Sequence, residues 1–303
     1  MSGRVLLGGR DTVPLRGAWA VLHGVRRDSG GPVDSVRTDR AGRYGIRLSR
    51  VDTSAVYVVS AWHDGLAYFS LPLNVVGRPA VEVEDLLVYP TTTDTPPIRV
   101  ARRLLTVARP GADGTREVLE ILELENTGHT TRITDDTLVP TWAGALPSAA
   151  IQFQGGQGDI SPDAMARRGD RVAVLGPIPP GRPKQLSYSY VLPAGMRAVT
   201  VPIDQWTKEL NLLLEDTTAV VTVPPASPRV EAIGVQDIEQ RRFAAYRAGP
   251  LDGGAVVVIT LPPGGFRPQM VLPYVIGLLS ATMVAALVWA LRRKPLASSP
   301  PRP

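Results

Sequence analysis

RVLLG (4–8), GAWAVLHGV (17–25), SVRTD (35–39), RYGIRL (43–48), AVYVVSAW (55–62), LAYFSLPL (66–73) and VEVEDLLVY (81–89) succeed one another within the first 89 residues. Most are short and rich in β-branched or aromatic residues, the composition of strands rather than helices. Turn signals separate them. In residues 28–32, DSGGP, and 39–42, DRAG, glycine supplies backbone freedom and aspartate bonds locally. Seven short strands at this spacing predict an Ig-like sandwich over residues 1–88. Across all 303 residues, 29 Gly and 29 Pro are scattered without a collagen-like period, which suits many short strands separated by turns. That length has room for two or three domains.

The first segment also resembles a known family. Gly3-Arg4-Val5 leads to Pro14-Leu15-Arg16-Gly17-Ala18 and Val21-Leu22, then to Thr38-Asp39 with Gly42, Tyr44 and Ile46. This succession is similar to the carboxypeptidase regulatory-like domain, whose pattern runs from a G-x-V strand through a P-x-x-G-A turn to T-D-x-x-G-x-[FY]. The resemblance covers the first 70 to 90 residues. It implies a transthyretin-like β-sandwich of bacterial type, a non-catalytic folding or binding unit that accompanies peptidase, receptor and envelope proteins. It carries no catalytic residues across, and Thr38, Asp39 and Gly42 read as a turn between strands.

Residues 89–100, YPTTTDTPPIRV, concentrate Thr and Pro without an apolar period and read as a linker. A second β-sandwich is expected over 101–195, with strands at 104–108, 118–125, 171–175 and 185–192. In the last of these, Leu186, Tyr188, Tyr190 and Leu192 share one face, the period-two alternation of a half-buried strand. Residues 117–125 would also suit a short helix. Further strands at 198–203, 219–223, 242–247 and 255–261 form either a third small juxtamembrane domain over 196–265 or the completion of the second. VPPASPRV, 223–230, interrupts them.

Residues 270–291, MVLPYVIGLLSATMVAALVWAL, are uncharged and as a helix would span about 33 Å, enough for a bilayer core. Tyr274 and Trp289 stand near its two ends, where amphipathic rings favour the interface. Arg292, Arg293 and Lys294 come directly after it, against a lone Arg267 on the other side. This predicts a single-pass transmembrane helix with a cytoplasmic tail, 292–303, and the N-terminal bulk in the periplasm or outside the cell. The N-terminus, MSGRVLLGGRDTVPLRG, has none of the features of a signal peptide, so a leader is expected upstream of Met1.

Composition narrows the chemistry. The chain has no cysteine, which removes disulfides, thiol nucleophiles and thiolate metal sites. Its three histidines, His23, His63 and His129, show no metal-ligand spacing, and no metal or cofactor is expected. No G-x-S-x-G elbow occurs, and Gly155-Gly156-Gln157-Gly158-Asp159 lacks the Lys-Ser/Thr of a P-loop and reads as a mobile loop. Asp159 and Asp163 could contribute to a calcium site, but the EF-hand spacing is missing. The net charge of +5 is spread over an arginine-rich surface, with Lys184, Lys208 and Lys294 the only lysines, and no basic block indicates nucleic acid. With abundant Ala, Gly, Pro and Val, that bias fits a high-GC bacterial genome. Trp62, Tyr68, Phe69, Trp142, Tyr188 and Tyr190 could provide stacking faces for a glycan. The expected function is a non-enzymatic envelope protein whose β-domains bind or position another envelope protein. A carbohydrate-binding module and an envelope hydrolase of unknown type are the alternatives.

Overall fold

Strand-forming runs punctuated by glycine turns give eight strands in the first 88 residues of the computed structural model, which describes residues 1–223 and 230–262. These are β1 (Ser2–Leu7), β2 (Val13–Pro14), β3 (Trp19–Val25), β4 (Gly30–Arg37), β5 (Arg43–Gly45), β6 (Val56–His63), β7 (Leu66–Phe69) and β8 (Leu86–Val88). One sheet is ordered β4-β3-β6-β7; the other runs β2-β1-β5, with β8 parallel to β1. Alternation gives each strand an inner and an outer face. Ala20, Leu22, Tyr57, Val59 and Ala61 are buried in one core with Val5, Tyr44, Leu86 and Val88 from the second sheet and with Ile46 just after β5.

The turn at residues 39–42 has the chemistry its sequence announces. The Asp39 carboxylate accepts the Ala41 and Arg43 amides, and Gly42 sits at φ +71, where an added Cβ would lie 2.5 Å from the Val5 carbonyl oxygen. The expected turn at 28–32 is shorter: the Arg26 amide donates to the Ser29 carbonyl, and β4 has already begun at Gly30.

The Thr- and Pro-rich run after Val88 includes β9 (Thr91–Thr92), and its end is the start of β10 (Ile98–Val107). Beyond it come β11 (Arg116–Asn126), β12 (Thr131–Arg132), β13 (Trp142–Ala145), β14 (Ile151–Gly155), β15 (Met165–Arg168), β16 (Arg171–Val174) and β17 (Lys184–Leu192). The last six are β18 (Ala198–Ile203), β19 (Leu210–Leu214), β20 (Val220–Thr222), β21 (Val230–Ile238), β22 (Arg241–Ala248) and β23 (Ala255–Thr260). A seven-stranded sheet, β14-β17-β11-β10-β19-β22-β21, shares one core with the three-stranded sheets β13-β16-β15 and β18-β23-β20. Because β19 pairs in parallel with β10, the strands β19, β22 and β21 extend the same sheet that β10 and β11 begin. Residues 117–125, ambiguous in sequence, are strand, antiparallel to both β10 and β17. The short β9 pairs in parallel with β12, tying the first 92 residues to the larger β-assembly.

One cluster of polar side chains, Arg103, Glu120, Tyr188 and Tyr190, lies inside the larger core. Glu120 on β11 is fully buried; its carboxylate accepts from Arg103 Nε at 2.8 Å, from the Tyr190 hydroxyl at 2.8 Å and from the Tyr188 hydroxyl at 3.2 Å. Arg103 Nη1 donates to the Pro202 carbonyl on β18, at 2.8 Å. A register shift between Val100 and Arg102 turns Arg103, Leu105 and Val107 onto the buried face together. Burial, reinforced by the Glu120 charge, holds both tyrosines well above their ordinary value of 10.0. Burial opposes the Arg103 charge, but Glu120 and the neighbouring hydroxyls outweigh it and leave the guanidinium more basic than usual.

No helix among the described residues is long and apolar enough to cross a membrane. The predicted span 270–291 with Tyr274 and Trp289, and the tail 292–303 with Arg292, Arg293 and Lys294, lie outside the described residues.

The core cluster makes two predictions. Glu120→Leu strands a buried guanidinium and two hydroxyls and costs about 3 kcal/mol or more in denaturant melts, whereas Arg103→Met combined with Glu120→Leu recovers much of that loss. Folded pKa values raised for Tyr188 and Tyr190 mean that stability is intact below the unfolded value of about 10 and falls as pH rises beyond it, because only the unfolded chain then sheds those protons. Denaturation midpoints measured between about pH 8 and 11 should show this decline, and Tyr190→Phe should lessen it.

Candidate functional site

Segments distant in sequence meet at one cleft of about 660 Å³. One wall is residues 66–71, which comprise β7 and the two residues after it; another is residues 84–87 leading into β8, with Tyr89; the third is residues 159–161 together with the lip from 176 to 184. Among the described residues β7 is the edge strand of its sheet, so one wall is a strand edge.

The cleft is held open by polar contacts between its walls. The Tyr68 hydroxyl donates to the Tyr89 carbonyl at 3.0 Å and lies 2.8 Å from Thr131 Oγ1. Burial outweighs these bonds and holds its pKa above the usual phenol value. The lip is pinned where Ile178 and Arg132 exchange backbone hydrogen bonds and the Asn126 side-chain amide donates to the Ile178 carbonyl. Gly181 carries the lip past Tyr89 at φ +91. The charges on the walls are largely engaged. Arg182 pairs with Glu84 at 2.7 Å, Arg4 grips Asp85 through two nitrogens, and Asp159 accepts the Gln185 amide at 2.9 Å. These contacts tie the walls to one another.

A second feature lies on the outer face of the β4-β3-β6-β7 sheet, opposite its buried alanines. Trp19, Trp62 and Phe69 are 43%, 49% and 59% exposed. The Arg37 guanidinium sits 4.4 Å from the centre of the Trp19 ring. His23 Nε2 is 2.8 Å from Ser60 Oγ, and its ring is 5.8 Å from that of Phe69.

The structure divides the sequence-derived aromatic candidates. Trp62, Tyr68 and Phe69 flank the cleft or the outer face, whereas Trp142, Tyr188 and Tyr190 are core residues and offer no stacking surface. Trp19 takes its place on the outer face beside them; its signal in the sequence was its position one residue before the inward Ala20. The two first-segment histidines do not converge. His23 faces Ser60, and His63, at the far end of β6 from the residue opposite His23, lies 3.8 Å from Asp64. The glycine loop at 155–159, expected to be mobile, is tied down: the Gly156 amide donates to the Ser187 carbonyl and the Ser187 hydroxyl to the Gln157 carbonyl. Among the described residues, no group of three or more His, Asp and Glu could hold a metal ion.

No family model and no curated protein matches the chain. Among solved structures, it is similar to a two-domain M1 zinc metallopeptidase bound to L-tryptophan, with TM-score 0.33 and 10% identity over 54% of this chain and 42% of that one. It is also similar to an M1 zinc metallopeptidase from Deinococcus radiodurans bound to a Tyr-Ser-Ala substrate, with TM-score 0.30 and 13% identity over 53% of this chain and 42% of that one. The chain thus spans less than half the length of either, and likeness at this level carries no activity across.

The bridging hydroxyl gives a direct check on the cleft's walls. Tyr68→Phe removes both of its bonds and should lower stability by about 1 kcal/mol in equilibrium unfolding, with the fold otherwise retained.

Proposed function

We propose that the chain is a non-enzymatic, single-pass envelope protein whose extracytoplasmic β-domains bind or position another envelope protein. In this reading the first module, 1–88, is a transthyretin-like sandwich of the carboxypeptidase regulatory-like kind. Residues 101–195 and 196–265 supply the remaining Ig-like β-structure, and 270–291 anchors it, with Arg292, Arg293 and Lys294 on the cytoplasmic side. The observation that carries the reading is the cleft itself, where an open strand edge and apolar walls meet carboxylates that are already engaged. Those groups favour holding a partner over transforming a substrate, and strand edges and loops are where sandwich scaffolds commonly present contacts.

A second reading, a carbohydrate-binding module, is favoured by the exposed Trp19, Trp62 and Phe69, since sheet-borne rings suit stacking against a sugar. An envelope hydrolase has less support, because Glu84 and Asp85 are ion-paired and Asp159 is hydrogen-bonded to the backbone.

Two measurements test these readings. In cells whose outer barrier has been opened, external protease should digest the N-terminal bulk and spare the C-terminal tail, and crosslinking in such membranes should recover a reproducible protein partner. A protected N-terminal bulk, or no partner on repetition, would count against the envelope reading. If the glycan reading holds instead, Trp62→Ala should weaken binding of purified cell-wall polysaccharide at least about tenfold, equivalent to about 1.4 kcal/mol, without changing the melting midpoint.

A further inference from the structure

We propose that the cleft beside β7 binds an extended polypeptide segment by strand addition, a step that rests on the protein-binding reading above and names the chemistry of its partner. The pairing of β6 with β7 determines which backbone groups are free. The Ser70 amide donates to the Val59 carbonyl at 2.8 Å, which makes those two residues a hydrogen-bonded pair. Antiparallel alternation then makes Ala61 and Tyr68 a hydrogen-bonded pair, and leaves Ser60 with Phe69 and Trp62 with Ala67 as non-hydrogen-bonded pairs. The amides and carbonyls of Ala67 and Phe69 therefore point away from β6, on the side where no strand among the described residues pairs with β7.

That side is the cleft. Six consecutive residues, 66–71, line it, so inward and outward side chains both border it and the surface presented is the strand edge. Two donors and two acceptors repeating every second residue along an edge match the backbone of another strand. The remaining walls suit its side chains. Leu71 and Leu87 are 52% and 40% exposed and, with Ala164, Pro177 and Pro179, give an apolar bed for every second residue.

Charge fixes one further feature of the partner. Arg182 is neutralised by Glu84, Asp85 by Arg4, and Asp159 is engaged by the Gln185 amide. Lys184 lines the same cleft with no ion-pair partner among the described residues. The segment that fits thus has apolar residues at alternate positions and a carboxylate at the Lys184 end, from an acidic side chain or from its own C-terminus.

The test uses the full-length protein in detergent and a displayed library of random octapeptides. Enriched peptides should alternate apolar residues, and their affinity, read by fluorescence anisotropy, should fall at least tenfold on Ala67→Pro and on Leu87→Glu. Val235→Ala, on the distant β21, should leave it unchanged. Backbone N-methylation of the peptide at one set of alternate positions should abolish binding, and at the other set should not. Loss of affinity on amidating the peptide C-terminus assigns the carboxylate there; loss on replacing an acidic residue assigns it to the side chain. Leu87→Glu tests the same site if Ala67→Pro fails to fold, as judged by its melting curve. The proposal is overturned if no peptide is enriched, if enriched peptides bind both variants as tightly as the wild type, or if the position of N-methylation does not matter. Should those results come from a protein that still crosslinks its envelope partner, the cleft assignment fails while the broader binding reading survives.

Discussion

A fully buried carboxylate must be answered from every side, and Glu120 imposes that constraint on the larger β-assembly. It lies on the apolar face of the interior strand β11, between Val118 and Leu122, and takes a guanidinium from β10 and two phenols from β17. Through Arg103 it also reaches the Pro202 carbonyl on β18, in the sheet packed against its own. Registers of three strands and the seating of a second sheet thus converge on one side chain. A one-residue slip of β11 would carry Glu120 to the outer face and leave Arg103 buried without its counter-ion. The register shift in β10 belongs to the same constraint, since it brings Arg103 round to face the acid.

A core closed in this way ties up the groups of its polar cluster. Its carboxylate, guanidinium and phenols are spent on one another, and its largest rings, Tyr188 and Tyr190, are out of reach of solvent. At the margin of the first module β7 ends its sheet, among the described residues, beside the lip that Ile178 and Asn126 hold in place. Proteins usually blunt such edges with charge, proline or a covering segment. Here the edge borders an apolar cleft whose own charges are mostly paired, an arrangement that favours a partner strand over bulk water.

Much of the strand pattern is legible in the sequence because it is local. The inward set Leu186, Tyr188, Tyr190 and Leu192 comes from alternation alone and is buried as that pattern requires. The 39–42 turn comes equally from Asp39 and Gly42, whose roles depend on neighbours within a few residues. Residues 117–125 resist such reading because Glu120 stands where alternation calls for an apolar side chain, and the Arg103 that neutralises it comes from another strand. The cleft is illegible for the same kind of reason: its walls come from residues 66–71, 84–89 and 159–184, which no spacing along the chain connects. Aromatic residues can be nominated from sequence, yet only packing separates the outer Trp62 and Phe69 from the core Trp142.

Folding leaves the backbone of β7 open on one side and satisfied on the other, and the binding role assigned to the cleft depends on that asymmetry. Native-state hydrogen exchange of the full-length protein, resolved to single amides, reads it directly. Slow exchange is expected at Tyr68, whose amide is committed to Ala61, and exchange faster by orders of magnitude at Ala67 and Phe69. Equal protection of all three amides would mean that the edge is already covered, and would contradict a strand edge open to a partner.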